Sequence, residues 1–183
     1  LINGPTWQTE TNCKVGKCLS FDGVNDYVNI NSSLNFPAFF NDRTVIVWTY
    51  QTFYTSTYLG LAHVFHYGNN QYNQSFGIAT YNDNKFGAHE WLIYTRYGNI
   101  MLNNWNFLGI TLSSHNIKKY YQNGNLIAIN TSDPIPATNI NYTPKIGSRV
   151  VPYEGFPGLI DEVRIYNRAL SDSEIRAIYE ATK

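Results

Sequence analysis

Apolar and polar residues alternate in short bursts along this chain. Tyr27-Val28-Asn29-Ile30, Thr44 to Tyr50, Phe76 to Thr80, Phe107 to Leu112, Lys119 to Gln122, Leu126 to Asn130 and Val163 to Tyr166 carry the period of two that gives a β-strand one buried and one solvated side. Turn chemistry separates them at Asp22-Gly23, Gly68-Asn69-Asn70, Asn82-Asp83-Asn84, Gly98-Asn99 and Asn123-Gly124-Asn125, the last reading as a hairpin turn that needs positive φ. The pattern predicts an antiparallel sandwich. One segment reads as a helix. Ser171-Asp172-Ser173-Glu174 is a capping box, with Ser171 as N-cap and Glu174 reaching back, and Ile175, Ile178 and Tyr179 follow on one face, expected against a sheet edge.

With 183 residues, 43% hydrophobic and 16% aromatic, the chain suits one large all-β domain spanning 1–183 and is short for two. No repeat or low-complexity linker divides it, and Pro134-Ile135-Pro136 reads as an exposed loop. Thirteen basic and thirteen acidic side chains cancel, and no Lys/Arg run exists to engage a nucleic acid or an anionic membrane surface. No apolar run reaches the ~20 residues of a membrane helix, and Leu1-Ile2-Asn3-Gly4-Pro5 has no leader character, so the chain is expected to be a mature form or a module of a longer protein. Only 14% of residues are charged, while fifteen tyrosines and many amides and hydroxyls carry the polarity. Such a surface fits an extracellular or cell-surface setting and contact with sugars.

Cys13 and Cys18 frame the turn-like Lys14-Val15-Gly16-Lys17, between an expected strand around Thr6 to Thr11 and another from Leu19 to Asp22. A small-loop disulfide fits that placement and the extracellular composition; the alternatives are two reduced thiols or a zinc site, the latter short of two further ligands. Four Asn-x-Ser/Thr sequons, at Asn31, Asn73, Asn130 and Asn141, are no more than the Asn-rich composition produces by chance.

Several segments resemble, in order, the laminin-G-like domains of the concanavalin A-like lectin and glucanase superfamily. They are Phe21-Asp22-Gly23-Val24-Asn25-Asp26-Tyr27-Val28, Thr44-Val45-Ile46-Val47-Trp48, Asn104-Trp105-Asn106-Phe107-Leu108-Gly109-Ile110-Thr111, Tyr120-Tyr121-Gln122-Asn123-Gly124-Asn125-Leu126, Lys145-Ile146-Gly147-Ser148, and the closing stretch from Phe156 to Ile175. The resemblance implies a jelly-roll β-sandwich of two curved antiparallel sheets with a short C-terminal helix. The family uses that scaffold to bind carbohydrates, proteins or lipids and, in some branches, for glycoside hydrolysis. It also implies a structural calcium ion, with Asp161 supplying a carboxylate and Asp22 as second candidate; capping of local N–H groups by Asp161 and an Asx-turn at Asp22 are the competing roles.

Catalysis is not expected. The Glu-x-Asp-x-x-Glu pattern of the glucanase branch is absent, and a glycosidase would require Glu90 to meet Glu154 or Asp83. The closest histidine pair, His63 and His66, would lie on opposite faces of a regular strand, so a shared metal would need a loop there. Rings crowd the stretch from Tyr54 to Gly98, and the expected ligand contacts are Tyr58, His66, Tyr67, Glu90, Trp91, Tyr94 and Tyr97, near His89 and Arg96, joined by Arg149, Tyr153 and Glu154 of a later loop. In a strand Trp91 and Tyr97 would share one face and Tyr94 and Arg96 the other, so these cannot all be contacts at once. The expected function is a non-catalytic carbohydrate-binding module of an extracellular protein, appended to a glycan-active enzyme or adhesin. The alternative is a protein-interaction or adhesion domain of a surface assembly.

Overall fold

The computed structural model describes residues 1–31, 35–55, 60–90, 93, 95–149 and 154–183. Among them the strands are β1 (Thr6–Trp7), β2 (Leu19–Asp22), β3 (Val28–Asn29), β4 (Arg43–Gln51), β5 (Leu61–Gly68), β6 (Ser75–Tyr81), β7 (Phe86–Ala88), β8 (Arg96–Tyr97), β9 (Trp105–Ser113), β10 (Ile117–Gln122), β11 (Asn125–Asn130), β12 (Lys145–Ile146) and β13 (Pro157–Tyr166), followed by helix α1 (Asp172–Thr182). They form two antiparallel sheets. One has seven strands in the order β1-β2-β13-β4-β9-β10-β11, the other six in the order β3-β12-β5-β6-β7-β8.

Alternation along the central strands builds the core between the sheets. Val45 and Val47 of β4 and Leu108, Ile110 and Leu112 of β9 point inward, meeting Val64, Phe65 and Tyr67 of β5 and Phe76 and Ile78 of β6. The opposite face of the seven-stranded sheet is also covered, because Ile46, Trp48, Phe107 and Tyr121 receive Ile175, Ile178 and Tyr179 of α1. The helix therefore packs on the sheet's face, not on the edge expected from sequence. Its capping box is formed as predicted, with Ser171 accepting from Glu174 N and Glu174 accepting from Ser171 N.

Turns follow the sequence where glycine or asparagine permits positive φ. Asn123 and Gly124 have φ of 50° and 75° and join β10 to β11. The expected strand from Thr6 to Thr11 is shorter than predicted: it ends at Trp7, and Glu10–Asn12 forms one 3-10 turn. Cys13 and Cys18 are joined as a disulfide. The loop around Pro134 is not wholly exposed either, since Pro136 is buried and the Pro134 carbonyl accepts from Lys118 Nζ at 3.0 Å.

The largest departure from the sequence pattern is β5. Leu61-Ala62-His63-Val64-Phe65-His66-Tyr67-Gly68 shows no clean alternation, yet it is a fully buried strand pairing with β6 and β12. Its register with β6 shifts between His63 and Phe65, a β-bulge. Val64 and Phe65 consequently both enter the core, and the strand resumes one position out of phase.

Candidate functional site

The bulge in β5 decides what the outer face of the six-stranded sheet presents. A regular strand would separate His63 and His66; the extra residue returns His66 to the face that His63 occupies, which corrects the expectation of opposite faces. His89, just beyond β7, joins them. The ring centroids lie 5.4 Å apart for His63 and His66, 4.4 Å for His63 and His89, and 5.6 Å for His66 and His89. Gly77 of β6 makes this possible: it stands opposite His66, and its carbonyl accepts the His89 amide at 3.1 Å, so no side chain separates the two rings.

Charged groups border the cluster. Glu154 Oε2 lies 3.2 Å from His63 Nδ1 and 2.7 Å from Arg149 Nε. The backbone ties the same segment down, since the His63 amide donates to the Glu154 carbonyl at 3.0 Å. Farther along, Arg96 pairs with Asp83 at 2.9 Å and lies over the Tyr81 ring, 4.8 Å from its centroid. The imidazoles form a buried floor, each at most 1% exposed, whereas the Arg96 and Asp83 side chains are 37% and 36% exposed. Nε2 of His66 makes no hydrogen bond among the described residues, so the floor retains polar capacity.

Burial pushes all three histidines well below the ordinary imidazole value. The Arg149 charge adds to this at each, and the neighbouring imidazoles add to it at His66 and His89. They are neutral at pH 7, each offering one donor and one acceptor. The unfolded chain accepts protons near pH 6.5 that the folded state refuses, so this contribution to stability is present above about pH 6.5 and lost as pH falls. Burial raises the carboxyls of Glu154 and Glu90, with the opposite sign: their contribution is present at low pH and lost as pH rises through their folded values. Removing imidazoles removes their part of this dependence, so between pH 7.5 and 5.5 the wild-type melting temperature should lose more than that of His66→Gln/His89→Gln; thermal melts across this range check it.

The structure sorts the expected ligand contacts. His66, Arg149 and Glu154 share the outer face just described, with His89 and Arg96. Tyr67 does not: its hydroxyl donates to the Pro37 carbonyl at 3.0 Å and accepts from Arg43, inside the core. Tyr97 also turns inward, with its ring 4.7 Å from that of Tyr120. Glu90 is fully buried and paired with Lys118. Tyr58, Trp91, Tyr94 and Tyr153 lie outside the described residues. Of the described residues near those positions, His89, Arg149 and Glu154 belong to the cluster, with Arg149 and Glu154 2.7 Å apart. Sequence reasoning missed His63 as a member of this face. The consecutive inward Val64 and Phe65 were the available signal.

The two candidate calcium ligands do not converge. Asp22 stands opposite Pro157 on β13, four residues before Asp161, a separation of about 13 Å along a strand. Asp161 Oδ2 accepts from the Lys14 and Val15 amides, both at 2.9 Å, and Oδ1 from the Glu162 amide at 2.8 Å. It thereby fastens the disulfide loop to a bulge in β13, where Glu162 takes φ of 51°. Asp22 Oδ1 accepts from the Val24 amide at 2.8 Å as an Asx-turn. Among the described residues no group of three or more His, Cys, Asp or Glu side chains is arranged to hold a metal.

A separate cavity of about 240 Å³ lies at the edge of the seven-stranded sheet, lined by Trp7, Lys17, Leu19, Phe21, Ile160 and Asp161 among others. Trp7 is 63% exposed there. It is a competing place for a ligand, and one that sequence reasoning did not single out.

No curated protein matches the chain in sequence. Among solved structures, domain 4 of AbnA, a GH43 extracellular arabinanase from Geobacillus stearothermophilus solved with arabinotriose, is similar with a TM-score of 0.70 and 20% identity, over 97% of this chain and 82% of that one. The CBM40 of Ruminococcus gnavus IT-sialidase, bound to alpha2,3 sialyllactose, has a TM-score of 0.63 and 15% identity over 87% and 96%. Trypanosoma rangeli sialidase has a TM-score of 0.64 and 14% identity over 88% of this chain, which spans only 27% of that enzyme. At these identities the likeness establishes the fold. Residues 22–176 match the family model described as the concanavalin A-like lectin/glucanases superfamily, and the chain belongs to that family.

Proposed function

We propose that this domain is a non-catalytic carbohydrate-binding module of an extracellular protein, one unit of a glycan-active enzyme or adhesin. Polysaccharide is held across the outer face of the six-stranded sheet. The observation that carries this reading is the convergence of His63, His66, His89, Arg149 and Glu154 on one sheet face. Above the buried imidazoles, the guanidinium of Arg96 and the carboxylate of Asp83, 37% and 36% exposed, offer donors and acceptors to a hydroxyl-rich ligand, with the Arg149–Glu154 pair at the rim of the floor. Tyr58, Trp91, Tyr94 and Tyr153 are the proposed stacking partners. Two similar folds were solved with oligosaccharides, which supports the ligand class.

A passive role is supported by the carboxylates. Glu90, Glu154 and Asp83 each have a basic partner of their own, Lys118, Arg149 and Arg96 respectively, so none is set beside another as an acid and nucleophile. The Cys13–Cys18 disulfide fits an oxidising compartment. For Asp161 and Asp22 we propose N–H capping in place of calcium ligation. Melting temperatures with calcium and with chelator should then coincide, and a calcium-dependent rise would restore the ion.

Affinity electrophoresis of the folded domain through gels containing neutral or acidic polysaccharides tests the function. Retardation by at least one glycan class is expected. Migration unchanged in every gel would favour the protein-interaction alternative.

A further inference from the structure

Beside the histidine cluster the outer face continues as a polar row. Asn29 of β3 stands opposite Lys145 of β12, Lys145 opposite His66 of β5, and His66 opposite Gly77, whose carbonyl receives the His89 amide. At about 4.8 Å between neighbouring strands, Lys145 lies within one strand spacing of the proposed glycan-binding groups. A second cavity of about 240 Å³ opens there, lined by Asn29, Tyr142, Thr143 and Lys145. Its lining combines a 41% exposed aromatic ring, an amide, a hydroxyl and an ammonium.

The ammonium has no countercharge. All thirteen acidic residues of the chain lie among the described residues, and none pairs with Lys145. Its electrostatic partner is the face of Tyr27, 4.0 Å from Nζ to the ring centroid. Arg43, which also lacks a carboxylate, is by contrast enclosed by the Asn41 and Phe39 carbonyls and the Tyr67 and Thr138 hydroxyls. Burial holds the Lys145 pKa below the ordinary lysine value, as expected for a cation partly withdrawn from water without compensation.

We propose that this cavity is a saccharide subsite for an acidic sugar, whose carboxylate or sulfate pairs with Lys145 while Tyr142 stacks on the ring and Asn29 and Thr143 bind hydroxyls. The inference deepens the carbohydrate reading and rests on it: a glycan crossing the strands passes over the histidine floor and reaches this subsite. It assigns an anionic glycan as the ligand class, for a protein whose formal net charge of zero gives no general attraction to polyanions.

The test pairs polymers that differ in charge: polygalacturonate with its methyl ester, and dextran sulfate with dextran. Wild type, Lys145→Gln, Lys145→Arg and a distant control, Lys85→Gln, are run in affinity gels at about 20 mM and about 500 mM NaCl. Expected are preference for a charged polymer that weakens at high salt, a roughly tenfold loss in Lys145→Gln, and retention in Lys145→Arg and Lys85→Gln. The polygalacturonate and dextran sulfate arms separate carboxylate from sulfate. Equal affinity for charged and neutral members of a pair, or Lys145→Gln binding like wild type, overturns the subsite and leaves the carbohydrate reading standing. Retention by no polymer, by proteins with native melting curves, counts against both.

Discussion

Glu90→Leu is expected to destabilise the domain by about 3–5 kcal/mol, because it strands the Lys118 ammonium in the protein interior. Glu90 and Lys118 both have 0% exposed side chains and pair directly, and Lys118 Nζ also donates to the Pro134 carbonyl at 3.0 Å. Burial raises the Glu90 carboxyl to about 7 even though the Lys118 charge pulls it down. For a domain of this size the loss corresponds to a fall in melting temperature on the order of 10 °C. Glu90→Leu/Lys118→Met should recover most of it, since an apolar pair of similar volume removes both charges together. Denaturant melts of the two single variants and the double variant measure the coupling. A near-neutral Glu90→Leu that abolished glycan binding would instead return Glu90 to the ligand contacts expected from sequence.

Trp48→Ala is the second large effect, at about 3–5 kcal/mol. Its ring stacks on Tyr179 at 5.6 Å and meets Phe107 edge-on at 5.4 Å, while its indole donates to Thr182 Oγ1 at 2.9 Å. Truncation opens a void under α1 and removes the donor that fixes the helix C-terminus. The damage falls on the outer face of the seven-stranded sheet, away from the histidine cluster. The fraction that stays folded should therefore bind glycan with wild-type affinity, and binding measured well below the melting temperature of the variant checks this. Loss of affinity in a folded variant would place the ligand elsewhere.

How much of this was legible depended on the regularity of each segment. β4 and β9 alternate in the sequence because each has two distinct faces, one toward the core and one toward α1, and the capping box at Ser171 announced the helix. β5 was illegible as a strand because both its faces are buried and a bulge interrupts its period, and the same bulge brings His63 and His66 together. The tyrosines misled for a chemical reason. Tyr67 and Tyr97 belong to the core, where a phenol buries its ring and satisfies its hydroxyl on Pro37 or Asn130, and residue type alone does not distinguish that role from a sugar platform. Lys145 stood in a recognised strand motif, but its missing countercharge became visible only once every carboxylate had a place.

The most direct test of the account compares Arg149→Ala with Trp7→Ala in gels containing a polysaccharide that retards the wild-type domain, each variant first shown to melt cooperatively. Arg149 borders the histidine floor at 2.7 Å from Glu154, and Trp7 lines the competing cavity on the other sheet. Arg149→Ala should lose roughly tenfold or more in affinity and Trp7→Ala none. The reverse, retention lost with Trp7 and kept without Arg149, would contradict it and move the binding site to the edge of the seven-stranded sheet.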